Sequence, residues 1–302
     1  MATPIVPNSY VAAWPGELVD VDQRTMFVRH APPTCPDPEP AVFIHGLGGS
    51  ATNWTELMDL LRDELDGIAV DLPGFGQSPP PPDGDYSPKA HAHAVATLVR
   101  QRFGDRRVHV FGNSLGGATA LQLAAHFPEL VRSLTLISPA LPDRVPRRTN
   151  IHMPVVAVPR LGEGLTKQVM KRSTEWRINA SLDISFSNPK RINPQRYADM
   201  VEEADSRNAY DYTTAAMLAS LRGLMATYFD RSGQRPWKLA ESITVPVVLI
   251  YGRDDKLVNP KVAFKVTKVF PNARVVILSD SGHLSQVEQP ELVAEAWRQL
   301  RH

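Results

Sequence analysis

A serine, a histidine and a pair of aspartates in this sequence have the types and spacing that nucleophilic catalysis requires. Ser114 stands in Gly112-Asn113-Ser114-Leu115-Gly116, directly after the apolar run Val108 to Phe111 and directly before a stretch of helical character from Gly116 to His126. A serine on so tight a strand-to-helix turn is held clear of both elements, provided its neighbours are small enough for strand and helix to approach. The amino end of the helix leaves unpaired N–H groups beside the hydroxyl, suited to stabilising an oxyanion.

A serine hydroxyl needs a base, and the base needs an orienting carboxylate. The chain has nine histidines. His45 belongs to a glycine loop; His91 and His93 face opposite sides of one helix, a poor geometry for a metal pair. His109 alternates within a strand, His126 ends a helix, and His30, His152 and His302 lack supporting context. His283 differs, because Ser281-Gly282-His283 directly follows the strand Arg274 to Leu278 and so lies at the carboxyl edge where parallel sheets build their sites. The acid should come from another loop at that edge. Arg253-Asp254-Asp255-Lys256 follows the strand Val245 to Tyr251, and of two adjacent aspartates only one can meet His283.

These residues need a sheet to hold them, and the chain alternates accordingly. Glu17 to Asp22 and Thr25 to Arg29 read as an antiparallel hairpin. Short apolar strands follow at Ala41 to Ile44, Gly67 to Asp71, Val108 to Phe111 and Ser133 to Ile137, separated by helices at Thr52 to Glu64, Ser87 to Phe103 and Gly116 to His126. This alternation predicts an α/β fold with a doubly wound, mostly parallel sheet. From Ser138 to about Gly233 the rhythm stops, and helical patterns appear at Leu165 to Thr174, Pro194 to Ser206 and Tyr212 to Phe229. It resumes with the strand Val245 to Tyr251, a helix near Val262 to Phe270, the strand Arg274 to Leu278 and a helix from Pro290 to Leu300.

In this order and context the chain resembles a Ser-His-Asp member of the α/β-hydrolase superfamily, carboxylesterase- or lipase-like, with a helical lid inserted after the sixth core strand. His45-Gly46-Leu47-Gly48-Gly49 is similar to the family's oxyanion loop, Asp71 to Ser78 to its next signature turn, and Gly112 to Gly116 to its nucleophile turn. The resemblance implies a core of residues 1–140 and 234–302 and a lid of 141–233. It implies Ser114 as nucleophile and His283 as base. Asp255, three positions after Gly252, becomes the orienting acid, with Asp254 as the alternative. It further implies an oxyanion hole made by the backbone N–H groups of Leu47 and Leu115, whose side chains would wall the pocket. Gly46, Asn113 and Leu284 would lie around the substrate. No metal or organic cofactor is implied.

Relatives with epoxide hydrolase or dehalogenase activity carry aspartate at the position of Ser114. The group that cleaves C–C bonds in aromatic ring-fission products shares the Gly-Asn-Ser signature, yet usually has tryptophan where this chain has Leu284. The expected reaction is therefore hydrolysis of a small carboxylic ester of short to medium acyl chain, with C–C hydrolysis as the alternative. A ligand-binding receptor or an acyltransferase could be built on the same residues.

Composition limits the partners. The 302 residues are 43% apolar and 22% charged with a formal charge of +1, which gives no overall field toward nucleic acid. Cys35 is the single cysteine, so an internal disulfide is impossible. No segment approaches the roughly 18 apolar residues of a membrane span, and a cytoplasmic location is expected. Charge is unevenly spread, however. From Arg144 to Arg191 ten basic residues face three acidic ones, whereas residues 1 to 90 hold four basic and thirteen acidic. Solvated helix faces are one reading; a lid that meets anionic headgroups or an acidic substrate is the other.

Overall fold

The computed structural model describes residues 8–143 and 152–301. Arg144, Arg147 and Arg148 of the basic run, and His302, lie outside the described residues, as does the side chain of His152. Eight strands form one sheet in the order β1-β2-β4-β3-β5-β6-β7-β8. The hairpin β1 (Gly16–Val21) and β2 (Arg24–Ala31) is antiparallel, and β2 pairs antiparallel with β4 (Leu65–Val70). From β4 onward every pairing is parallel, through β3 (Glu39–Ile44), β5 (Val108–Asn113), β6 (Val131–Ile137), β7 (Val247–Gly252) and β8 (Ala273–Leu278). The sequence expectation of a doubly wound, mostly parallel sheet is met.

Successive strand residues point to opposite faces, and the apolar runs are long enough to fill both. Val42, Ile44, Val110, Leu134, Leu136, Val247 and Leu249 belong to a large cluster with α2 (Pro88–Phe103), α3 (Leu115–His126) and α10 (Ala263–Val269). Their neighbours Ala41, Phe43, Phe111, Ile137, Val248 and Ile250 form a second cluster with α1 (Thr55–Leu61) and α12 (Pro290–Arg298), where Trp54 and Trp297 are fully buried. A short α11 (Ser285–Glu288) precedes α12.

Parallel register also fixes where the strands end. Ile44 lies beside Gly112, Asn113 beside Ile137, Ile137 beside Ile250, and Gly252 beside Leu278. The loops after β3, β5, β6, β7 and β8 therefore leave the sheet along a single edge. That one edge holds residues 45–47, 114, 138, 254–255 and 281–283.

Between β6 and β7 lie α4 (His152–Ala157), α5 (Leu161–Met170), α6 (Thr174–Ser185), α7 (Pro194–Arg207), α8 (Thr213–Tyr228) and α9 (Pro236–Ala240). The single helix expected at Leu165 to Thr174 is instead the end of α5 and the start of α6. Ser173 caps α6 by accepting from the Trp176 N–H at 3.2 Å, so the chain breaks there.

A buried ion pair fastens this insert to the core. The Arg196 guanidinium on α7 donates from Nε and Nη2 to Glu56 Oε1 on α1 at 2.9 and 2.6 Å, and from Nη2 to the Val11 carbonyl at 2.6 Å. Both side chains are only 5% exposed, so neither charge has water as a substitute partner. Arg196→Met should therefore destabilise the protein by about 3–5 kcal/mol, because it strands the Glu56 charge, whereas Arg196→Met with Glu56→Leu should recover most of that loss. Urea denaturation of the two variants checks this; equal stability of the single and double variants is the contrary result.

Candidate active site

Ser114 sits on the one-residue turn between β5 and α3 with φ 53°, a left-handed conformation that side chains rarely adopt. Packing around the turn forces it. A Cβ on Gly112 would lie 2.5 Å from the Gly116 carbonyl oxygen, and one on Gly116 would collide with the Ile44 and His45 carbonyls. Three backbone bonds hold the residue itself: its N–H donates to the Ile137 carbonyl at 3.1 Å, and its own carbonyl accepts from the Ala140 and Ala118 N–H groups at 3.0 and 3.1 Å. The loop after β3 closes on the serine from one side, since a Cβ on Gly46 would come within 3.1 Å of Ser114 Cβ.

His283 arrives from the loop after β8. Its Nδ1–H donates to Asp255 Oδ2 at 2.9 Å, and Asp255 is fully buried. The other carboxylate oxygen of Asp255 accepts from the Leu257 and Val258 N–H groups, both at 2.8 Å. Burial alone would raise the Asp255 pKa. The opposing pull of the His283 ring, the Val258 N–H and the Ser138 hydroxyl wins and holds it below the usual carboxylate range. Asp254, by contrast, is exposed and accepts from the Ser187 hydroxyl at 2.7 Å. Of the two adjacent aspartates, Asp255 is thus the one paired with the histidine.

Asn113 ties these loops together. Its Nδ2 donates to the carbonyls of Ile137 and His283, both at 3.1 Å, which links the serine turn to the histidine loop. In the structure this amide nitrogen bridges two pieces of backbone. Leu115 departs from expectation: its side chain is fully buried in the large core cluster, so it walls no open pocket, although its backbone N–H remains at the start of α3. Leu47 is half-buried, and Leu284 packs with Leu182, Phe186 and Val287 under the insert.

Three buried groups brace the site that spacing alone did not single out. Glu288 on α11 accepts from the Gly282 N–H at 2.7 Å, and from the Ser187 and Asn188 N–H groups at 3.1 and 2.8 Å. It therefore clamps the histidine loop to the segment after α6, where the Ser185 carbonyl also accepts from the His283 N–H at 2.6 Å. Asp71 accepts from the N–H groups of Ala51 and Gln77 at 2.7 and 2.8 Å, joining the loops after β3 and β4; burial pushes its pKa up to about 6. His45 donates from Nδ1 to the Gly46 carbonyl at 2.7 Å and accepts at Nε2 from the Leu72 N–H at 3.0 Å, and burial pushes it down to about 4. A glutamate five residues after a loop histidine is the one sequence signal that could have flagged Glu288.

Three other histidines have local polar partners. His109 meets Ser133 and Glu39, His30 meets Asp66, and His126 meets Gln122. Among the described residues no cluster of histidine, cysteine and acidic side chains could hold a metal ion.

Residues 40–290 match the model of the alpha/beta hydrolase fold family. The chain belongs to the α/β-hydrolase family. It is 26% identical over 268 residues to Lipase 3 of a Moraxella species, covering 87% of this chain and 77% of that one. It is also 26% identical to the 2-hydroxy-6-oxo-6-(2'-aminophenyl)hexa-2,4-dienoic acid hydrolase of Metapseudomonas resinovorans, over 85% of this chain and 82% of the relative. Among solved structures, Cfl2 of Burkholderia cenocepacia superposes with a TM-score of 0.81 at 23% identity, covering 98% of this chain and 99% of that one. This hydrolase has the fold of its relatives over nearly its whole length.

The clamp made by Glu288 is directly testable. Glu288→Gln places an amide donor where an N–H must be accepted, so it should cost about 1–3 kcal/mol of stability. Faster exchange of the Gly282 amide hydrogen should accompany that loss. Urea denaturation and hydrogen exchange check this, and unchanged Gly282 protection is the contrary result.

Proposed function

We propose that the protein is a serine carboxylic-ester hydrolase in which Ser114 is the nucleophile, His283 the base and Asp255 the acid that orients it. The observation that carries this reading is the His283–Asp255 bond on a loop that Asn113 ties to the strained Ser114 turn. His283 Nε2 takes the proton from Ser114 Oγ as that oxygen attacks the ester carbonyl. The backbone N–H groups of Leu47 and Leu115 receive the charge that develops on the carbonyl oxygen, Leu115 being the first residue of α3. Collapse expels the alcohol, protonated by His283, and leaves an acyl-enzyme. A water deprotonated by His283 then releases the acid. The scheme calls for no cofactor. Asp255 stays ionised because its carboxylate is held below the usual range, so it fixes the ring tautomer rather than exchanging protons.

Residues 141–233 act in this reading as a lid over the edge where these loops meet, which selects small esters over folded substrates. Ester hydrolysis is favoured over C–C cleavage because Leu284 stands where C–C hydrolases usually carry tryptophan, despite the dienoic acid hydrolase among the relatives.

Ser114→Ala should lower kcat by roughly a millionfold with unchanged thermal stability, and a phosphonate probe should label Ser114 in the unaltered chain. Substantial residual turnover, or labelling at another residue, removes the assignment. Asp255→Asn should cost roughly 10⁴ in kcat, while Asp254→Asn, which loses one surface contact with Ser187, should leave kcat within a few-fold. Across p-nitrophenyl esters, kcat/KM should rise about threefold to fourfold per added methylene and then fall at short to medium length. A flat profile with fast cleavage of a ring-fission dienoate would establish C–C hydrolysis instead.

A further inference from the structure

Helix α5 is turned the wrong way round for a helix in water. Leu161, Leu165 and Val169 recur every fourth residue and form one stripe, yet they are 48%, 40% and 43% exposed. The side adjoining this stripe carries Gly162 and Thr166, and these are buried. Gly162 is where the chain packs: a Cβ there would collide with the Val156 carbonyl of α4 and lie 3.4 Å from the Leu218 side chain of α8. The Thr166 hydroxyl folds back onto the Gly162 carbonyl. Because the helix packs on α4 and α8 through these small residues, the apolar stripe beside them stays in solvent, against the usual arrangement of a surface helix.

The stripe is part of a larger patch. Of the fourteen large apolar side chains exposed among the described residues, seven lie between Val155 and Trp176. Cations surround it: Arg160, Lys167, Lys171 and Arg172 are all exposed. Arg172 lies over the Trp176 ring at 5.3 Å, and with Lys171 and Val169 these two line an open depression of about 430 Å³. Of the two acids in this stretch, Glu163 is paired with Arg222 at 2.8 Å, which leaves Glu175 to offset the cations.

We infer that the α5–α6 face is a docking surface for an anionic phospholipid bilayer, with Leu161, Leu165, Val169 and Trp176 entering the interface and Lys167, Lys171 and Arg172 meeting the headgroups. Charge complementarity selects this occupant. Apolar side chains gain from entering the acyl boundary, and a ring of cations gains only if the surface is negative. A second copy of the chain docked through the same face would bring the same cations against one another, which opposes association. The inference is independent of the ester reading, because docking is measured without turnover.

The experiment is co-sedimentation of the full chain with vesicles of pure phosphatidylcholine and of an equimolar phosphatidylcholine–phosphatidylglycerol mixture. The chain should bind the anionic vesicles at least tenfold better at low salt, and the difference should shrink in 1 M salt, where the screening length falls to about 3 Å. Each basic side chain near the surface strengthens partitioning about fivefold. Lys167→Ala, Lys171→Ala and Arg172→Ala combined should therefore lower it about a hundredfold. Leu165→Ser with Val169→Ser should weaken binding at every salt concentration. Both variants alter exposed positions, so unchanged thermal unfolding shows that the fold is kept. Equal binding to neutral and anionic vesicles overturns the inference, as does wild-type binding by the charge variant. So does self-association in sedimentation velocity that Leu165→Ser abolishes without any vesicle binding.

Discussion

The close approach of backbone to backbone around Gly112 and Gly116 is the constraint on which the rest of the site depends. Strand β5 runs straight into α3 with one residue between them, and α3 presses against the end of β3 at Ile44 and His45. No side chain fits at either glycine, and the residue between must turn left-handed. Holding a non-glycine residue in such a region costs about 1–3 kcal/mol, so the conformation persists only because its surroundings over-determine it. Here those surroundings are the bonds to Ile137 and Ala140 and the packed first turn of α3. The same contact brings the Gly46 loop against Ser114, so a single packing requirement positions both the hydroxyl and the loop that faces it.

The histidine depends on a different set of partners, and several of them lie in the insert. Its own N–H is bound by Ser185, the Gly282 N–H by Glu288, and Glu288 in turn by Ser187 and Asn188. The loop after β3 is gripped in a similar way. Glu203 on α7 accepts from the Thr52 hydroxyl at 2.8 Å, and Arg207, paired with Glu203 at 2.7 Å, donates to the Gly48 carbonyl at 3.1 Å. With the Arg196–Glu56 pair, these bonds concentrate on α6 and α7, whereas α4 and α5 pack on α8 of the same insert, through Gly162 and through Arg222. Bonds from α6 and α7 thus hold the insert to the loops of the site, while its apolar outer face lies on α4 and α5 and at the start of α6.

What the sequence made legible follows the same division. Strands buried on both faces announce themselves as short apolar runs, and glycines flanking Ser114 announce a turn with no room for side chains. The loop positions of Asp255 and His283 follow once the strands before them are placed. Within the insert the usual signal inverts. Apolar periodicity marks the buried face of a helix only when the helix packs through large residues; α5 packs through Gly162 and Thr166, and its periodic leucines point outward. The break between α5 and α6 was signalled locally by Ser173, a capping residue followed by Glu175, but the continuing apolar pattern masked it. Glu288 was illegible for another reason: its three partners are backbone N–H groups, and two of them lie about a hundred residues away in the chain.

Titration behaviour alone would have pointed to the wrong residues. The groups whose pKa values are driven farthest by burial include His91, pushed down to about 3, His45, pushed down to about 4, and Asp71, pushed up to about 6. A perturbed group in a cleft is a reasonable candidate for function, yet structural burial perturbs in the same way. Geometry separates the two cases. Both ring nitrogens of His45 are already committed to backbone, and His91 lies between the Phe75 and Tyr86 rings with no polar partner. Asp71 has one oxygen on the Ala51 N–H and the other on the Gln77 N–H, and a Cβ on Gly76 would collide with its carboxylate. His45 and Asp71 are thus committed to backbone, and His91 is walled in by rings at 1% exposure. Asp255 is buried as deeply, but the His283 ring, the Val258 N–H and the Ser138 hydroxyl all favour its carboxylate, so the local balance runs the other way and the carboxylate stays charged. A fixed negative charge beside Nδ1 is what an imidazole needs if its opposite nitrogen is to accept a proton, and the loop after β7 supplies one to His283.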